Sequence, residues 1–82
     1  MNLRGKKAII TGAGSGFGAG IAKAFSNQGA KLILADINFP NVKNVAKEIG
    51  AIPIEADVSN QVSVEKMIDF SIKKFTAIDI IV

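Results

Sequence analysis

The sequence contains no cysteine, no histidine and no tyrosine. Without cysteine it has no disulfide framework, no thiolate zinc site and no cysteine nucleophile, and the redox compartment is left undetermined. Without histidine it lacks the commonest general base and metal ligand, so an independent hydrolase or metalloenzyme would need an unusual arrangement of carboxylates and lysines. We find no such arrangement, and we assign no catalytic residue and no metal ligand.

Long apolar runs are also missing. The basic residues at positions 1–7 are followed only by the short apolar stretch Ala8 to Ile10, which is too short for the apolar region of a signal peptide. No run approaches the roughly 20 residues that a membrane helix needs. We therefore expect a cytoplasmic protein with no membrane partner.

Composition indicates that residues 1–82 fold, or are part of something that folds, and we expect them to be the N-terminal part of a single domain. About half of the residues, 49%, are hydrophobic, and the net charge is only +3, which argues against disorder. The basic balance raises the hypothesis of nucleic-acid binding, but the lysines are spread over different predicted helices. Most of the phenylalanines fall on predicted buried faces and would not stack on bases. We expect no nucleic-acid partner.

Strand and helix patterns alternate along the chain without a linker or repeat. Apolar runs predict four strands, at Lys6–Thr11, Lys31–Asp36, Ala51–Ala56 and Ile78–Val82. Helical spacing of apolar residues predicts three helices: from about Ser15 to Gln28, from Asn38 and Pro40 to Gly50, and from an N-cap at Ser59 to about Phe75.

This alternation predicts an α/β fold, a Rossmann-type doubly wound parallel sheet with βαβαβαβ connectivity, of which the chain supplies a part. Pro53 lies in the third predicted strand and cannot donate to a sheet ladder, so that strand belongs at an edge. The strand order 3-2-1-4 places it there.

The turn between the first strand and the first helix is rich in glycine: Gly12, Gly14, Gly16, Gly18 and Gly20 alternate through it. Such a turn lets the backbone leave the strand sharply, approach a pyrophosphate closely and pack the helix against the sheet. The helix N-terminus then offers free N–H groups and partial positive charge to the phosphates. The alternative is a glycine turn that serves tight packing alone.

A triphosphate-binding P-loop is the competing interpretation of a glycine-rich turn. That motif ends in Gly-Lys followed by Ser or Thr, whereas no lysine occurs between Lys7 and Lys23. Binding of a mononucleotide triphosphate is therefore disfavoured.

The end of the second strand indicates which dinucleotide is bound. Asp36 follows the glycine turn by about 20 residues, where an acid accepts hydrogen bonds from both hydroxyls of the adenosine ribose. It would repel a 2′-phosphate, and neither Ile37 nor Ser15 carries a positive charge to neutralise one. We expect NAD rather than NADP. The alternative is a strand-end acid that caps the next turn.

Asp57, at the end of the third strand, is a candidate acceptor for the adenine amino group, and the Val58 backbone would line the same pocket. An aspartate just before a helix also commonly serves turn or capping geometry. Both interpretations stay open from the sequence.

The segment from Thr11 to Gly18 resembles the Thr-Gly-x-x-x-Gly-x-Gly cofactor motif of classical short-chain dehydrogenases/reductases. With Asp36, the Asp57-Val58 pair and the apolar end of the chain, the resemblance covers nearly all 82 residues. It implies that the cofactor turn is formed by Gly12, Gly16 and Gly18, that Asp36 selects NAD, and that Asp57 and Val58 contact adenine. Two departures are Phe17, where the family usually has Ile or Leu, and Thr76, which replaces a glycine. Phe17 stays a candidate cofactor contact, as do Ser15 in the same turn and Ile37 beside Asp36.

By this resemblance the protein is an NAD-dependent oxidoreductase acting on an alcohol or carbonyl compound, and the chain is its dinucleotide-binding half. Family members continue into Asn-Asn-Ala-Gly, a catalytic Ser and a Tyr-x-x-x-Lys pair, none of which occurs in the 82 residues. We expect these residues alone to be inactive and full-length members to be homo-oligomers. The alternative is a non-catalytic NAD-binding fragment or a decayed gene product.

Overall fold

The computed structural model describes residues 2–82. Its elements alternate along the chain as β1 (Lys7–Thr11), α1 (Gly16–Asn27), β2 (Lys31–Asp36), α2 (Phe39–Ile49), β3 (Ile52–Glu55), α3 (Gln61–Phe75) and β4 (Ile80–Ile81). All paired strands run parallel, in the order β3-β2-β1-β4. The α/β fold and the strand order predicted from the sequence are confirmed. In the described part of the chain, no helix combines the length and apolar character needed to cross a membrane.

Helices cover both faces of the sheet. Successive strand residues point to opposite sides, so each face of the sheet forms its own buried cluster with the helices that cover it. On one side, Ile10 packs in a buried cluster with Ala22 of α1 and Val42 of α2. On the other side, Ile9 packs in a second buried cluster with Met67 of α3. Two buried faces explain why the strands are continuous apolar runs rather than alternating ones.

The two outer strands of the described sheet, β3 and β4, differ in the extent of their pairing with the neighbouring strand. β3 is an edge strand, as Pro53 predicts, and pairs only with β2 among the described strands. β4 is assigned to Ile80–Ile81 only, which is shorter than predicted. Val82 continues the pairing with β1, since its N–H donates to the Ile9 carbonyl and its carbonyl accepts from the Thr11 N–H, each at 2.9 Å. Just before β4, Asp79 accepts a hydrogen bond from the Lys7 N–H through its carboxylate, at 2.9 Å, and donates its own N–H to the Lys7 carbonyl at 2.8 Å.

The first two helices end as their sequences predict. Gly29 follows α1 with φ +92°, and Gly50 closes α2 with φ +72°. In this left-handed region a Cβ is unfavourable, so glycine suits both positions. Asn38 caps the start of α2 by accepting a hydrogen bond from the Asn41 N–H at 3.1 Å.

The start of α3 corrects one prediction. Its N-cap is Asn60, whose side chain accepts a hydrogen bond from the Ser63 N–H at 3.0 Å. The prediction of Ser59 as the cap is wrong by one residue, because the Ser59 hydroxyl is engaged with the Asp57 carboxylate, at 2.6 Å. Ser59 thus belongs to the turn between β3 and α3.

Candidate functional site

The carboxyl ends of β1, β2 and β3 border a cleft of about 160 Å³. Parallel α/β sheets bind ligands at this edge, where the connections leave the strand ends. The cleft is lined by Gly12, Asp36, Ile37, Ala56, Asp57 and Val58. Five of these six residues are sequence-predicted site residues, and the structure brings them together from three separate turns. Ala56, which is buried beside them, was missed because nothing in its sequence context marks it.

The glycine turn depends on glycine for two different reasons. Gly12 and Gly16 have φ values of +63° and +57°, which disfavour any residue with a Cβ. At Gly18 the backbone is helical, but a Cβ would overlap the carbonyl oxygen of Gly12. The helix α1 therefore lies directly against the turn that precedes it.

The N-terminus of α1 faces out of this turn without a side-chain cap. Ser15 occupies the N-cap position but makes no capping hydrogen bond, and the first turn contains no acidic residue. By contrast, asparagine side chains cap both α2 and α3. The first N–H groups of α1 are consequently available to an anion. Ser15, Gly16, Phe17 and Gly18 lie at this helix end, next to the cleft but outside its lining, and Phe17 is 89% exposed.

Asp36 ties the glycine turn to the end of β2. One of its carboxylate oxygens accepts a hydrogen bond from the Gly14 N–H at 2.8 Å, and the other accepts one from the Asn38 N–H at 2.9 Å. A Cβ on Gly14 would come within 2.8 Å of the same carboxylate. Each carboxylate oxygen has a second lone pair, so Asp36 can still accept hydrogen bonds from a ligand.

Asp57 is held by two serines: Ser59, which the sequence singled out only as a helix cap, and Ser63, which it did not single out. Its Oδ1 accepts hydrogen bonds from the Ser59 hydroxyl at 2.6 Å and from the Ser59 N–H at 2.9 Å. These two bonds hold the pKa of the Asp57 carboxyl below its ordinary value, and the bond from the Ser59 hydroxyl has the larger effect. The Asp57 N–H donates to the Ser63 hydroxyl at 2.8 Å.

A larger cleft of about 250 Å³ lies at the opposite edge of the sheet. It is formed by strand beginnings and helix ends, with Lys31, Gly50 and Phe75 among its lining residues. None of the sequence-predicted site residues lines it. Helix C-termini carry partial negative charge, so this edge does not suit a dinucleotide phosphate.

Comparison with known proteins gives matches along nearly the whole chain. The family model described as short chain dehydrogenase matches residues 6–82. The mitochondrial borneol dehydrogenase of Lavandula x intermedia is 37% identical over 95% of this chain and 30% of its own length. The 7alpha-hydroxysteroid dehydrogenase of Escherichia coli (strain K12) is 37% identical over 100% of this chain and 34% of its own length. The chain thus spans about a third of the length of these relatives.

Solved structures agree with the sequence match. A 3-ketoacyl-(acyl-carrier-protein) reductase from Brucella melitensis, complexed with NADH, is 41% identical with a TM-score of 0.94, over 98% of this chain and 34% of its own. A short chain dehydrogenase/reductase from Burkholderia phymatum, in complex with NAD, is 34% identical with a TM-score of 0.93, over 99% of this chain and 31% of its own. Sequence match, fold and glycine turn all lead to one assignment: the chain belongs to the short-chain dehydrogenase/reductase family of oxidoreductases.

Proposed function

We propose that the protein binds NAD at the carboxyl edge of its sheet, as the dinucleotide-binding part of an oxidoreductase acting on an alcohol or carbonyl substrate. The observation that carries this proposal is the meeting of the glycine turn, the uncapped start of α1 and two carboxylates around one cleft. The Brucella and Burkholderia structures, which contain NADH and NAD, support the same cofactor class. When bound, the nicotinamide ring supplies the hydride chemistry.

The turn from β1 to α1 fits a pyrophosphate. Gly12 and Gly16 have positive φ values and no side chain, so their backbone would approach the ligand closely. The first N–H groups of α1 have no side-chain acceptor from the cap, so they would donate to the phosphate oxygens. Phe17, almost fully exposed on the same turn, would pack against the cofactor.

The adenosine half would lie in the cleft. Asp36 would accept hydrogen bonds from the ribose hydroxyls, and its negative charge would repel the 2′-phosphate of NADP. Ile37 and Val58, which are 65% and 59% exposed, offer apolar surface to the base. Asp57 would accept a hydrogen bond from the adenine amino group.

A second candidate is NAD binding without turnover. It applies to the 82 residues taken alone, which contain no tyrosine and hence no Tyr-x-x-x-Lys pair of the kind through which the family transfers its proton. An assay of NADH formation with alcohols separates the two candidates. The substrate, a cytoplasmic location and homo-oligomeric assembly stay predictions.

Calorimetric titration with NAD and with NADP tests the proposal. We expect NAD to bind more tightly than NADP, and Asp36→Ala to weaken NAD binding by about 1.5 to 3 kcal/mol, the range for hydrogen bonds to a charged group. Asp69→Ala removes an exposed carboxylate from α3 and serves as the matched control. Unchanged NAD affinity in Asp36→Ala would remove Asp36 from the site, and failure to bind either dinucleotide would refute the proposed function.

A further inference from the structure

The turn between β3 and α3 is closed by a set of short hydrogen bonds. The Asp57 N–H donates to the Ser63 hydroxyl at 2.8 Å, and the Ser63 N–H donates to the Asn60 side chain at 3.0 Å. The Asn60 N–H returns to the Asp57 carbonyl at 3.0 Å. Ser63 lies in the first turn of α3, so the backbone of Asp57 is fixed to the start of a helix rather than to a free loop.

The side chain of Asp57 is held separately from its backbone. Oδ1 accepts hydrogen bonds from both the hydroxyl and the N–H of Ser59. Oδ2 accepts none from the rest of residues 2–82. The carboxylate that lines the cleft therefore has one oxygen committed to the turn and one oxygen open to a ligand.

We propose that Ser59 and Ser63 are positioning residues for adenine recognition, although neither lines the cleft. Ser63 fixes the backbone of Asp57, and Ser59 orients the carboxylate so that Oδ2 accepts the hydrogen bond of the exocyclic amino group. The inference rests on the proposed function, namely that this cleft binds NAD. The lowered pKa of Asp57 is consistent with it, because the ionised carboxyl is an acceptor only and has no O–H that would face the amino group as a second donor.

Nicotinamide hypoxanthine dinucleotide is the probe that isolates this contact. It differs from NAD in the base, where a carbonyl oxygen replaces the amino group and would face the acceptor Oδ2. We expect the protein to bind NAD about 10-fold more tightly than this analogue, a ratio that corresponds to one hydrogen bond of ordinary strength.

Each serine variant is compared with the unaltered protein by its ratio of affinity for NAD to affinity for the analogue, rather than by its NAD affinity alone. Ser59→Ala and Ser63→Ala should each reduce the preference for NAD to about 3-fold or less, whereas Ser59→Thr and Ser63→Thr keep a hydroxyl and should retain it. Ser71→Ala is the matched control, because it removes a hydroxyl from the same helix that bonds only to the Met67 carbonyl, at 2.7 Å. A general loss of stability would leave the ratio unchanged.

The possible results separate the inference from the proposed function. If the protein prefers NAD and both alanine variants keep the full preference, Ser59 and Ser63 are not positioning residues. If it binds NAD and the analogue equally, the inference is overturned while the proposed function stands. If it binds neither dinucleotide, the inference and the proposed function are both refuted. If Ser63→Ala does not fold, hydrogen exchange of the Asp57 amide in the unaltered protein decides for Ser63: slow exchange supports its anchoring by the Ser63 hydroxyl, and rapid exchange overturns it. If Ser59→Ala does not fold, Ser59→Gly, which also removes the hydroxyl, takes its place in the comparison of affinity ratios.

Discussion

Gly18 and Gly20 lie two residues apart in α1 and should respond in opposite ways to the same substitution. Alanine is favoured over glycine inside a helix by about 1 kcal/mol, and this gain applies at both positions. At Gly20 an added Cβ meets nothing within 4 Å. Gly20→Ala should therefore stabilise the protein by up to about 1 kcal/mol.

At Gly18 the added Cβ overlaps the Gly12 carbonyl oxygen and comes within 2.6 Å of its carbon. Both are backbone atoms, so α1 must move away from the cofactor turn. Overpacking of this kind costs about 3 kcal/mol at the upper end of its usual range. After the helix-propensity gain, Gly18→Ala should lose about 2 kcal/mol.

Thermal unfolding followed by circular dichroism measures both variants. For a chain of this size, 1 kcal/mol shifts Tm by about 4 to 8 °C. Gly20→Ala should raise Tm, and Gly18→Ala should lower it by about 8 to 16 °C and weaken NAD binding. Equal Tm values for the two variants would refute the close packing of α1 against the turn.

Two further predictions concern the ends of α3. Thr76, at the C-terminal end of α3, is the only non-glycine residue with positive φ in residues 2–82, at +71° with ψ −42°. Thr76→Gly should therefore relieve backbone strain and raise the free energy of unfolding by about 1 kcal/mol. An unchanged Tm would contradict this. Because the pKa of Asp57 is lowered in the folded state, its contribution to stability is present above its unfolded pKa of about 4 and is lost as pH falls through the folded value. Ser59→Ala should return that pKa toward its ordinary value, which an NMR titration of the Asp57 carboxyl would show, and identical titration curves would rule out Ser59 as the cause.

Local signals account for what the sequence predicted of the fold. Apolar runs marked the strands, and Pro53 marked an edge strand because it lacks an N–H group. Gly29 and Gly50 marked helix ends because their backbone is left-handed there. The two hydrogen bonds between Asp79 and Lys7 at the start of β4 were not predictable, because they join residues 72 positions apart and have no sequence pattern.

The candidate site was predicted at the level of residues and not of contacts. Asp36 could be recognised from its distance to the glycine turn, but its hydrogen bond to Gly14 joins residues 22 positions apart and has no sequence pattern. Ser59 and Asn60 are both good caps by type, so only the position of the Asp57 carboxylate decides which one caps α3. Ser63 gave no signal, because a serine in a first helical turn is ordinary.

The location of NAD can be measured directly by following backbone amide signals in an NMR titration of the protein. We predict the largest shifts at Gly12, Gly16 and Gly18, with smaller shifts around Asp36 and Asp57. Shifts confined to the opposite edge of the sheet, around Lys31 and Gly50, or no shifts at saturating NAD, would contradict a dinucleotide site at the carboxyl ends of the strands.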